Sequence, residues 1–285
     1  MPHSGSQARL NVAVKVGVYV LACLAGMRLF ALLFFPFGGP FAGAVLSLFL
    51  SALVANLFAL RVYERAPLTA IGLNWSRASR RNVLIGLLAG MLAAYAVTGA
   101  PLLAGLAHLE TAGQGAEWRI ILFTTVMLVL GVFGEEMLFR GYGFQVLLGP
   151  LGAYATLLPV GVLFGLAHHG NLNFSWLGLV NTTLWGVLLG YAFLRSGDLW
   201  LPIGLHFGWN WVLPLFGANL SGFTMRVTGY QMRWHTAALW SGGDYGPEAS
   251  ILTTAVVSVL FVLLAKAPVL RQRPVLAHLE DDEVE

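Results

Sequence analysis

Blocks of apolar residues recur along this chain, each close to the roughly 20 residues that a helix needs to cross a bilayer. They predict about eight spans, at residues 12–35, 41–62, 83–106, 120–148, 153–169, 174–194, 199–216 and 250–265. The breaks between them carry helix-ending residues. Pro36, Gly38, Gly39 and Pro40 separate the first two blocks, and Gly149, Pro150 and Gly152 separate the fourth from the fifth. The expected fold is all-α, a polytopic membrane helix bundle. It divides into N-terminal helices (1–117), a central core (118–216), and a last part (217–285) holding a Gly-, Trp- and Tyr-rich loop, the eighth helix and an acidic tail. Trp234, Trp240 and Tyr245 in that loop suit an interfacial belt, with a lid as the alternative.

Composition strengthens the membrane expectation. Only 10% of the 285 residues are charged and 58% are hydrophobic, with a mean hydropathy of +0.76. A soluble domain carries roughly 25% charged residues, and one this poor in charge has little to cover its surface. The net charge of +3 does not suggest a nucleic-acid partner, because the basic residues form no long run. The single cysteine, Cys23, lies in an apolar block and reads as a small buried hydrophobe. Residues 1–11 are short and polar, and the block after them is too long for the apolar part of a cleaved signal.

Basic residues cluster at alternate ends of the blocks. An N-terminus in the cytoplasm puts Arg9, Lys15, Arg61, Arg65, Arg77, Arg80, Arg81, Arg195, Lys266, Arg271 and Arg273 on one side and leaves Arg119, Arg226 and Arg233 on the other. The positive-inside rule then places both termini in the cytoplasm. The Ala-, Gly-, Leu- and Arg-rich composition points to a bacterial inner membrane.

Against this background Glu135 and Glu136 are out of place, since an ionised carboxylate in the hydrocarbon core costs about 2.5 kcal/mol or more. Arg140, four residues after Glu136, shares its helical face and is the expected partner. Two later blocks also carry polar side chains four apart, Phe164 with His168 and His206 with Asn210. Each of these sites alone suits a structural hydrogen bond between helices. Together they supply carboxylates, imidazoles, a guanidinium and a carboxamide, the inventory of a hydrolase that activates water and holds an oxyanion. On continuous helices Glu135 and His168 would lie about 20 and 22 Å from the same face, but His206 and Asn210 only about 10 and 16 Å, so tilted helices are needed to join them.

Glu135-Glu136-x-x-x-Arg140, Phe164-x-x-x-His168 and His206-x-x-x-Asn210, 33 and 38 residues apart, resemble the CAAX-processing and bacteriocin-processing (CPBP) family of intramembrane proteases. Phe139-Arg140-Gly141 and the run Leu199 to Ile203 look like the same family, and the resemblance covers roughly 118–216. It implies an eight-helix bundle with a cavity open towards the cytoplasm and the lipid. It also implies roles: Glu135 as general base on water, His168 holding that water, His206 and Asn210 at the oxyanion hole, and Glu136 with Arg140 ordering the site. The cofactor expectation is none, although Glu135, His168 and His206 could supply a zinc site. The implied substrate is a membrane-anchored protein or peptide, of which a prenylated CAAX tail is one kind. The alternatives are a proteolytically inactive scaffold or bacteriocin self-immunity protein, and a transporter with a proton relay. His169 reads as a structural neighbour, Arg28 as a snorkelling or paired residue, and His108, His235 and His278 as ordinary loop or tail residues.

Overall fold

Gly39 folds the first helix back on itself. In the computed structural model, which describes residues 3–113, 115–273 and 276, with side chains from Leu10 onward except Gln114, α1 (His3–Ala59) keeps helical geometry except at Gly39 (φ 68°, ψ 179°). Glycine tolerates that positive φ without a Cβ penalty. The legs on either side are antiparallel: Gly26 packs against Ser51, Gly43 against Phe35, and Lys15 pairs with Glu64 at 3.0 Å. Four stretches are long and apolar enough to cross a membrane, Leu10–Glu64, Arg77–Leu103, Trp118–Leu151 and Trp176–Ser196, and two shorter apolar helices accompany them.

The remaining helices are α2 (Arg77–Leu103), α3 (Trp118–Arg140), α4 (Tyr142–Leu151), α5 (Ala153–Ala167), α6 (Trp176–Ser196), α7 (Trp200–Leu215), the short α8 (Ala238–Ser241) and α9 (Ile251–Lys266). α2 begins six residues before its apolar block, because Ser76 and Ser79 form a capping box. One expectation needs correction. The segment 120–148 is not one helix: it breaks at Gly141, where a Cβ would lie 2.4 Å from Asn56 Oδ1. The loop 217–249 carries regular structure. It contains β2 (Tyr230–Trp234), which pairs antiparallel with β1 (Ala107–Thr111), so His108 sits on a strand. His108 Nδ1 lies 2.8 Å from His235 Nε2 with the rings stacked. Tyr245 is buried in the same loop, and that burial pushes its phenol up to about 12. His278 and the acidic tail, Glu280–Glu285, lie outside the described residues.

Glycine stripes set the helix packing. Gly86 and Gly90 of α2 face the backbone of Leu201 and Leu205, while Gly204 and Gly208 of α7 face that of Val83 and Leu87. The numbering rises together on both helices, so α2 and α7 run parallel. Small residues four apart allow this close approach where lipid offers no hydrophobic drive between helices. Gly161 and Gly165 of α5 do the same against Val187 and Thr183 of α6, in antiparallel register. A Cβ at Gly90 would sit 2.0 Å from Leu205 O, a backbone atom that cannot turn aside. Gly90→Leu is therefore expected to force α2 from α7 at a cost of about 1–3 kcal/mol or more. Thermal unfolding of the detergent-solubilised protein checks this, with a clearly lower Tm the expected result.

Cys23 is buried as expected, and Arg28 is exposed on the first leg of α1. At the end of the bundle carrying most basic residues, the chain is tied by polar contacts. Asp198 Oδ1 accepts from the backbone N–H groups of Trp200 and Leu201 at the start of α7, and its Oδ2 accepts from Asn82 at 2.8 Å and Gln272 at 2.5 Å. Burial raises the Asp198 pKa despite these donors.

Candidate active site

The helix break at Gly141 ends α3 directly after Arg140, so the chain turns immediately beneath the Glu135–Glu136–Arg140 face. Three side chains fasten this turn. Tyr19 donates to Met137 O at 2.8 Å, Asn56 donates to the same carbonyl at 3.1 Å and accepts from Tyr142 N–H at 2.8 Å, and Gln145 donates to Arg140 O at 2.9 Å. Tyr19 also donates to Leu138 O at 3.2 Å, so the Leu138 carbonyl and the Tyr142 N–H, which the break separates in an apolar interior, are both satisfied.

Glu136 and Arg140 are fully buried and paired at 3.2 Å. Arg140 also donates to Gly186 O at 2.7 Å and lies 4.6 Å above the Phe164 ring. Glu136 Oε1 additionally accepts from His206 Nδ1 at 2.8 Å. Glu136, ionised beside Arg140, can only accept, so the proton of that contact is on His206 Nδ1, and Nε2 points the other way, 3.8 Å from Glu135 Oε2. His168 caps the end of α5. Its Nδ1 donates to Phe164 O at 2.8 Å, which aims Nε2 at the same Glu135 oxygen from 3.9 Å. Phe164 touches three partners at once: its ring centroid lies 4.9 Å from His168 and 6.0 Å from His206, with Arg140 above it.

The structure thus brings Glu135, Glu136, Arg140, His168 and His206 into one cluster, with Asn210 one turn beyond His206 on the wall of the same cavity. The depth mismatch expected for His206 disappears, because the break at Gly141 removes the continuous helix from which Glu135 was measured. His169 instead faces away, exposed and packed on Phe174 at 4.5 Å.

Glu135 Oε2 is buried and makes no hydrogen bond among the described residues. Gaps of 3.8 and 3.9 Å are too long for direct hydrogen bonds and are the span that a bridging water fills. The donor types also suit zinc, with both Nδ1 atoms held by outer partners. The spacing does not: ligands about 2.0–2.1 Å from a tetrahedral ion stand about 3.3 Å apart. Among the described residues no group of three His, Cys, Asp or Glu is arranged to hold a metal ion.

The cluster lies in a cavity of about 950 Å³ walled by α1, α3, α5, α6, α7 and the 217–249 loop. One wall residue, Glu248, was not anticipated. Its carboxylate is buried and accepts from Trp209 Nε1 at 3.1 Å and from the backbone N–H and hydroxyl of Ser221 at 2.5 and 2.8 Å, fastening the loop beside Asn210. Nothing in its local sequence distinguishes it from a solvated loop acid.

Residues 117–212 match a family model described as type II CAAX prenyl endopeptidase Rce1-like. That stretch contains all six residues of the cluster and ends before the loop. No curated protein matches the chain. The match covers about a third of the chain, and at the level of the family it supports a CAAX-type intramembrane peptidase.

Proposed function

We propose that this Rce1-like domain is an integral-membrane endopeptidase that hydrolyses a peptide bond with a water activated by Glu135. The convergence of His168 Nε2 and His206 Nε2 on Glu135 Oε2 is the observation that carries this. Charge balance assigns the protons. Two carboxylates and one guanidinium would leave a buried negative charge, which is costly away from water. An imidazolium at His206, seated between both carboxylates, makes the cluster neutral.

In this mechanism water sits between Glu135 and His168. Glu135 takes one of its protons as the water oxygen attacks the peptide carbonyl carbon. His206 Nε2–H and the Asn210 carboxamide donate to the oxyanion that forms. Collapse breaks the C–N bond, and Glu135 returns its proton to the departing amine. Arg140 and Glu136 touch no substrate atom; they hold His206 in orientation. The substrate is a membrane-associated protein or peptide, with the bilayer as the enzyme's other partner. The basic residues support placing both termini in the cytoplasm.

The two adjacent histidines offer a test of the assignment. His168→Ala is expected to abolish cleavage of a fluorogenic peptide library, while His169→Ala keeps it near the wild-type rate. An active His168→Ala beside an inactive His169→Ala contradicts the proposed water site.

A further inference from the structure

The two ends of the bundle differ in a way that fixes where substrate enters. One end holds Arg61, Arg65, Arg77, Arg80, Arg81, Arg195, Lys266, Arg271 and Arg273, in or beside the turns that join the helices there. The C-terminal segment returns to this end, where Leu270 and Gln272 bond to Asn82 and Asp198. The opposite end holds the Gly39 fold, the β1–β2 pair and the 217–249 loop, with Arg119, Arg226 and Arg233.

The exposed walls of the cavity belong to the second end, and its floor reaches down to Glu135 and His206. Its walls include Phe35 and Phe41 beside the Gly39 fold, Asn171 after α5, and Ser221, Phe223 and Met225 of the loop. Among the described residues, none of its walls comes from 49–126, 140–163, 190–205 or 249–273, the stretches that carry the basic clusters. Below the cluster the bundle is closed. Arg140, Tyr142, Gln145, Asn56 and Tyr19 are buried there, and they bond to one another or to the backbone around Gly141.

The resemblance to known proteases led to the expectation of a cavity open to the cytoplasm, and the charge pattern to cytoplasmic basic residues. The geometry sets these against each other, because the exposed rim of the cavity and the basic clusters lie at opposite ends. Orientation in the membrane follows the Lys and Arg bias. We propose that the cavity opens to the extracytoplasmic side, and that its substrate is a membrane-associated peptide segment presented from that face. This rests on the protease assignment and changes the substrate it implies: a tail anchored at the cytoplasmic face meets the sealed end. Glu135 lies 17 residues from the start of α3, about 26 Å along the helix. An extended chain covers that distance in about eight residues. The scissile bond therefore lies within or next to an apolar anchor, and the exposed aromatic rim of Phe35, Phe41 and Phe223 suits the entry of such a stretch.

Cysteine accessibility tests the proposal in the full chain. Cys23→Ala removes the native thiol, and Thr224→Cys or Asn74→Cys then places one thiol on the cavity rim or at the basic end; both positions are exposed. A membrane-impermeant maleimide added to intact cells is expected to label Thr224→Cys at least an order of magnitude more than Asn74→Cys. Permeabilisation should make the two equal. Leu239→Cys and Arg273→Cys form a second pair with the same expectation. Labelling of the basic-end thiols from outside, of both ends equally, or of the rim only after permeabilisation overturns the proposal. Labelling does not depend on catalysis. An outward rim on an inactive enzyme would sink only the protease assignment, and an active enzyme with an inward rim would sink only the orientation.

Discussion

Arg140→Ala is expected to cost the protein about 3–5 kcal/mol of stability, because it leaves Glu136 as an uncompensated buried charge. Arg140 is fully buried and has three partners: Glu136 at 3.2 Å, Gly186 O at 2.7 Å, and the face of Phe164. Alanine removes all three and opens a void beneath the cluster. Activity should fall with stability, since Glu136 would lose the contact that helps aim it at His206. Thermal unfolding in detergent measures the first effect. Peptide cleavage below the variant's Tm measures the second. An Arg140→Ala protein as stable as wild type would mean that the pair does not hold the site together.

Glu135→Gln should behave in the opposite way, nearly silent in folding and severe in catalysis. The amide has the shape of the carboxylate, and Glu135 Oε2 makes no hydrogen bond that folding would lose. A desolvated carboxylate disappears, so stability is expected to hold or rise. The amide cannot accept the proton that attacking water must give up. General bases contribute roughly 10²–10⁴-fold to rate, and the expected loss is of that order or complete. The contrast separates roles: Arg140 is read out in Tm and rate together, Glu135 in rate alone.

Much of this site was legible in the sequence because charge is so rare in the chain. Glu135, Glu136 and Arg140 stood out against apolar neighbours, and helical periodicity alone paired Glu136 with Arg140. The two His motifs gave their residues but not their meeting point. That depended on the break at Gly141, which looked like an ordinary helix residue in a run extending to Leu148. What ends the helix there is Asn56, 85 residues earlier in the chain, whose amide occupies the space of the missing Cβ. No local pattern announces such a contact. The glycine stripes at Gly86, Gly90, Gly204 and Gly208 set the parallel packing of α2 on α7 that presents His206, and the pattern of one helix does not name its partner. The β1–β2 pair was hidden for another reason. Two five-residue strands in polar connections bury too little apolar surface to show a period, and they pair across more than 100 residues.

The loop 217–249 carries the same lesson for function. Its aromatic residues drew attention in the sequence, but its contacts with the site run through others: Glu248 ties it to Trp209 and Ser221, and Leu220, Phe223 and Met225 form part of the cavity wall. It shapes the space in which a substrate would lie.

Cleavage of membrane-anchored and soluble fluorogenic peptides by the purified protein, wild type beside Glu135→Gln and each with and without a strong zinc chelator, tests the central claim most directly. The mechanism proposed here predicts cleavage by wild type, its loss in a Glu135→Gln protein of unchanged Tm, and no effect of the chelator. Equal cleavage by both proteins would contradict the role given to Glu135, and cleavage that vanishes with the chelator would contradict a water activated by protein groups alone.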